Sequence, residues 1–113
     1  MGGRAGYLGE FEQVVLLAVA RLGASAYGMR IRAEIERRGD RKATIGAVYA
    51  TLERLTAKRY VRETESPGGS ERSGLARRFY AVTPAGKMAL EEARALHTRM
   101  WAGLKIRVHR RGL

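Results

Sequence analysis

The chain has 113 residues, enough for one domain with a buried core and too few for two independent ones. Hydrophobic content of 45% argues against wholesale disorder, while 22 Lys and Arg against 11 Asp and Glu leave a net charge of +11. That excess favours a polyanionic partner, nucleic acid before an anionic membrane surface, and the lack of cysteine excludes disulfides, thiolate metal sites and thiol catalysis.

A Gly-rich start leads into a first predicted helix over residues 8–22. Phe11, Val14, Val15, Ala18 and Leu22 face inward, and Gly23 ends it. Residues 14–17 are apolar nearly all round, so deep burial as scaffold is expected. The apolar run over 14–20 is too short to span a bilayer. Glu10 and Glu12 stand where a signal peptide would carry cations, which suggests a soluble, cytoplasmic protein without membrane contact.

After a short connection, a second helix is predicted over residues 27–38. Met29 or Ile31, with Ile35, marks its buried stripe, and Arg30, Glu34, Arg37 and Arg38 face water. Gly39-Asp40 signals a turn. The third helix starts at Thr44, a residue suited to cap it, and Val48, Leu52 and Leu55 form one apolar face. Its other face carries Thr44, Ala47, Ala50, Thr51, Arg54 and Lys58. Small residues let a backbone approach a DNA groove, while Thr and Arg supply donors to base edges and phosphates. The less specific account is a solvated basic face. Two helices joined by a short turn make a helix-turn-helix pattern, which favours DNA.

Residues 60–65 then read as extended, residues 66–74 break all regularity with Pro and Gly, and residues 77–82 read as a second strand. A β-hairpin with a long basic tip, placed directly after a helix-turn-helix, is a wing. Arg72, Arg77 and Arg78 on it are candidate phosphate ligands. Thr83-Pro84 is a helix start, and the final helix is predicted over residues 84–108. Its apolar set is Ala85, Met88, Ala89, Ala93, Leu96, Met100, Leu104 and Val108. A helix of that length spans more than about 35 Å, which outruns so small a core. Its face therefore calls for a second copy of the chain.

No catalytic constellation is legible. The glycines at 68, 69 and 74 lack the setting of a phosphate loop, His97 and His109 have no partner at ligand spacing, and the serines have no base nearby. The expected fold is mainly α with a small β-hairpin, a winged helix-turn-helix unit over 8–83 and a C-terminal dimerisation helix over 84–109. No cofactor or metal is expected, and an enzyme is disfavoured. A basic RNA-binding or structural nucleoprotein on the same fold is the competing reading, disfavoured by small residues where a shape reader would place cations.

Four segments resemble the PadR-like transcriptional regulators, in the same order. They are GEFEQVVLLAVARLG at 9–23, AYGMRIRAEIERR at 26–38, IGAVYATLERL at 45–55 and RRFYAVTPAGKMAL at 77–90. The resemblance implies a dimeric winged-helix repressor of the short branch, bound to an inverted-repeat operator in double-stranded DNA as a homodimer. It also implies that Tyr49 positions the third helix on the phosphate backbone and that Tyr80 belongs to the wing. Several relatives release DNA when a small aromatic or drug-like compound binds, which makes a small hydrophobic or aromatic effector a candidate partner, while the resemblance leaves the operator sequence and any effector undetermined. Relatives usually carry Gly where this chain has Arg59. A left-handed backbone there would cost Arg on the order of 1 kcal/mol.

The expected base contacts are thus Thr44, Ala47, Ala50, Thr51 and Arg54, and the phosphate contacts Arg41, Lys42, Tyr49, Lys58, Arg72 and Arg77. The expected dimer interface is Met88, Leu96, Met100 and Leu104. Trp101 is expected at the stripe's edge, as an anchor or as one wall of an effector slot.

Overall fold

The computed structural model describes residues 7–65 and 77–109. The Gly-rich start and the hairpin tip, including Arg72, lie outside the described residues. The element order is α1 (Glu10–Leu22), a 3-10 turn (Gly23–Ser25), α2 (Gly28–Gly39), α3 (Ile45–Ala57), β1 (Val61–Thr64), β2 (Phe79–Val82) and α4 (Pro84–Trp101). The strands pair antiparallel, with Val61 opposite Val82 and Thr64 opposite Phe79. A bridge between Tyr27 and Phe79 ties the start of α2 to the hairpin. The Tyr80 amide adds a bond to the Ala26 carbonyl at 2.9 Å.

Residues spaced by three and four bury one stripe on each of the first three helices. Val15, Leu16 and Val19 of α1, Ile31 and Ile35 of α2, and Val48, Leu52 and Leu55 of α3 meet Tyr60, Val61 and Tyr80 of the hairpin. Of the two candidates in α2, Ile31 is buried and Met29 is half exposed. Deep burial of residues 14–17 is not what forms. Leu17 is 50% exposed and Val14 only partly covered, because α1 packs the side carrying Glu12, Val15 and Val19.

α4 begins where the sequence signals it. The Thr83 hydroxyl accepts the Gly86 amide at 3.0 Å and donates to the Arg59 carbonyl at 2.7 Å, with Pro84 at the first helical position. Gly86 lies against the Tyr60 carbonyl, where a Cβ would overlap the backbone. The helix stops at Trp101, earlier than expected. Gly103 takes φ 76°, and residues 104–109 leave the helix. Leu104 therefore extends no helical stripe. The glycine was a stop signal already present in the sequence.

Candidate nucleic-acid interface

The start of α3 is held from two sides. The Thr44 hydroxyl accepts the Ala47 amide at 3.0 Å. Just before it, α2 brackets the backbone of Ala43. Arg32 Nε donates to the Ala43 carbonyl at 2.9 Å, and Glu36 Oε2 accepts the Ala43 amide at 3.1 Å. Both backbone groups of one loop residue are thus satisfied by side chains a helical turn apart, which sets the angle at which α3 leaves the loop. At its other end the Arg59 amide bonds to the Thr56 carbonyl, and the Tyr60 amide to that of Leu55, at 2.9 Å each. This is a Schellman closure with its left-handed residue at Arg59, φ 66°.

The rotation of α3 differs from the expected one by roughly a quarter turn, taking 3.6 residues per turn. Its buried stripe is Val48, Thr51, Leu52 and Leu55, and Thr51 is only 1% exposed. Thr51 is therefore not a base reader. Three residues beyond Val48 and four before Leu55, it belongs to the core stripe by spacing, and its chemistry was misleading. The outward ridge is Gly46, Ala50, Glu53 and Ala57, with Thr44 and Ala47 exposed beside its leading end. Glu53 is a ridge residue that the sequence reading passed over.

The flank carrying Arg54 and Lys58 turns toward α1. Lys58 Nζ donates to both oxygens of Glu12, at 2.9 and 3.0 Å, and to the Tyr7 carbonyl at 3.3 Å. Arg54 Nε reaches Glu12 Oε2 at 3.4 Å, and its Nη2 donates to the Thr51 hydroxyl at 3.1 Å. Both cations expected on DNA are thus engaged by Glu12, Lys58 closely and Arg54 by a longer contact that leaves 56% of its side chain exposed. Glu12 is 7% exposed and also accepts the Gly9 amide at 2.9 Å. Burial pushes its pKa up. The Lys58 bond, the Gly9 amide, the Lys58 charge and Arg54 together outweigh that and hold it below the ordinary 4.5. Its place on the α1 core stripe, three residues before Val15, was the signal that could have found it.

The opposite flank of α3 meets the start of α2 and the base of the wing. Tyr49 lies over Gly28, where a Cβ would overlap its ring and hydroxyl. The next residue back, Tyr27, packs edge-on against Phe79 with centroids 5.3 Å apart, and the Arg77 guanidinium covers the Tyr27 ring at 4.4 Å. Arg78 pairs with Glu63 at 3.7 Å. Arg41 donates to both Glu10 oxygens at 2.8 Å and lies 5.0 Å over Phe11. That pair is exposed and readily surrendered. Lys42 is exposed and forms no ion pair among the described residues. The candidate interface thus comprises the α3 ridge, Lys42, Tyr49, Arg77 and Arg78, with Arg41 at one margin.

Several apolar side chains of α4 stand open in the single chain, Leu96 at 50% and Met100 at 70% exposed with Met88 also uncovered, as is Leu104 beyond the helix end. Twelve residues apart, Met88 and Met100 point about 120° from each other at 100° per residue, so they do not share one face. Trp101, 57% exposed, lines a shallow depression of about 670 Å³ with Gln13 of α1 and Arg94, His97 and Thr98 of α4. Among the described residues no cluster of three His, Cys, Asp or Glu could hold a metal, and no helix is long and apolar enough to cross a membrane.

Residues 16–92 match the family described as the transcriptional regulator PadR-like family. Among solved structures, a PadR-like transcription factor from Bacteroides fragilis is similar with a TM-score of 0.69, at 20% identity over 87% of this chain and 86% of that one. F93 from STIV, described as a winged-helix DNA-binding protein, gives 0.68 at 21% identity over 88% and 99% of the two chains. A PadR family transcription regulator from Clostridium difficile R20291 gives 0.64 at 22% identity, over 80% and 90%. No curated protein matches.

Proposed function

This chain belongs to the transcriptional regulator PadR-like family, and we propose that within it the protein is a sequence-specific repressor that binds an inverted-repeat operator as a homodimer. The observation that carries the proposal is the leading end of α3. A capped helix start offers Thr44, Ala47 and Ala50 on an exposed, small-sided ridge. Cations and an aromatic hydroxyl (Lys42, Tyr49, Arg77, Arg78) flank it where phosphates would run beside an entered major groove. Arg41 joins them once it leaves Glu10. Glu53, farther along the ridge, suits a cytosine amino group.

Residues 84–109 serve as the dimerisation unit in this reading, with Leu96 and Met100 covered by the partner. The protein works in the cytoplasm, without cofactor, and a planar hydrophobic effector at Trp101 releases the DNA.

Footprinting of the DNA beside the coding region tests the proposal. Two protected half-sites about one helical turn apart, roughly 34 Å, are expected. If each protomer neutralises about four phosphates, log K against log salt falls with a slope near −7. Equal affinity for random duplex and for RNA would favour the shape-reading nucleoprotein instead.

A further inference from the structure

We propose that Glu12 is a positioning residue for DNA binding: its buried carboxylate holds Arg54 and Lys58 against α1 and so withdraws both cations from the DNA backbone. The proposal rests on the reading of α3 as the DNA-facing helix. In a strongly basic chain, two cations on the helix that meets DNA would be expected to bind any duplex. Here both are tethered to α1, although the Arg54 side chain stays 56% exposed. A single carboxylate accepts Lys58 at 2.9 and 3.0 Å and Arg54 at 3.4 Å, while the Gly9 amide occupies it from a third side. Arg54 is fixed again by the buried Thr51 hydroxyl, and Lys58 by the Tyr7 carbonyl.

Burial separates this arrangement from an ordinary surface ion pair. An exposed pair such as Arg41–Glu10 exchanges partners at little cost. With its cations in place the Glu12 carboxylate is only 7% exposed, and moving both of them to phosphates strips it of its two charged partners at once. The consequence is selective. Phosphate contacts raise affinity for every sequence alike. Removing two potential contacts from each protomer lowers non-specific binding and leaves discrimination to the small-residue ridge.

The test compares wild type with Glu12→Gln, which keeps the shape and the Gly9 contact and removes the charge. On random duplex the slope of log K against log salt should steepen by about two to four for the dimer. Affinity at low salt should rise about tenfold or more, and the preference for operator over random duplex should shrink accordingly. Without DNA, acylation of the Lys58 amine, followed by mass spectrometry, should accelerate several-fold. The triple variant E12Q/R54A/K58A should return the slope to the wild-type value.

A merely structural Glu12 would lower thermal stability and leave the slope and the Lys58 reactivity unchanged, which overturns the proposal. Should Glu12→Gln fail to fold, Arg54→Ala in the otherwise native chain decides. An unchanged slope supports the withdrawal of Arg54, and a slope shallower by about two refutes it. Wild-type protein that bound no duplex would overturn the DNA-binding reading and this proposal together. Normal binding with an unaltered Glu12→Gln slope overturns this proposal alone.

Discussion

Arg59 sits at φ 66°, where an L side chain crowds its own backbone, yet the Schellman closure of α3 needs that conformation. Replacing it with glycine relieves the crowding, although a more flexible unfolded chain offsets part of the gain. Arg59→Gly should stabilise the fold by about 1 kcal/mol, read as a higher urea midpoint at constant m-value. Glu12 makes a prediction with a sign. Its folded pKa lies below the ordinary 4.5, so its ionised form contributes stability that is present above that value and lost as pH falls through the lower folded one. The stability difference between wild type and Glu12→Gln should be constant near neutral pH and shrink only in acid. A difference that instead grew on acidification would contradict the depressed pKa.

At the scale of elements, α3 divides into a ridge and two flanks, and each side has its own test. Ala50 is exposed, so Ala50→Leu should change stability by no more than about 0.5 kcal/mol. On the ridge it should nonetheless block close approach to a groove and abolish operator binding. Lys42→Ala should weaken operator and random duplex by the same factor and make the salt slope shallower by about one per protomer. Electrophoretic mobility shifts over a salt series distinguish the two, and a loss of discrimination in Lys42→Ala would move it from clamp to reader. α4 is the second element with open surface. Only Gly86 and Ala89 are fully buried along it, and its distal half projects Leu96 and Met100 into solvent. Leu96→Glu should therefore spare the protomer fold and convert a dimer to monomer in sedimentation equilibrium. A variant that stayed dimeric would place the interface elsewhere.

For the whole molecule, the charge of +11 is more evenly spent than its size implies. Glu34 alone meets Arg21 of α1 at 3.3 Å and, within α2, Arg37 at 2.9 Å and Arg38 at 3.6 Å, so three of the cations converge on one carboxylate. The Arg37 hydrogen bond chiefly holds the Glu34 carboxyl below its ordinary pKa, despite the opposing effect of desolvation. The depression at Trp101 lies between α1 and α4, and α1 also carries Glu12, the carboxylate that grips α3. A ligand wedged there could favour a dimer whose α3 helices no longer match the half-site spacing. Titration with planar hydrophobic compounds should quench the tryptophan saturably. That signal should vanish in Trp101→Leu without loss of the dimer. Silence toward every compound would leave Trp101 as an anchor.

The sequence by itself determined the elements and their order, because these rest on local physics. Thr44 and Thr83-Pro84 open helices by capping, Gly23 closes one, and the change from helical spacing to extended segments around residue 60 marks the hairpin. Even the end of α4 was written locally, in Gly103. Tertiary structure alone decided how α3 is turned. Helical spacing puts Thr51 with the core stripe and Arg54 and Lys58 beside it, but it does not say whether that flank meets DNA or a neighbouring helix. Glu12, 42 residues before Arg54 and 46 before Lys58, draws both cations toward α1. The same holds for Arg32 and Glu36 around Ala43 and for Gly28 beneath Tyr49. Such pairings become energetically decisive only after the core has packed and removed water from between the partners. Until then each side chain is solvated alone, and its spacing along the chain can mark it as core-facing, as for Glu12 and Thr51, without naming its partner.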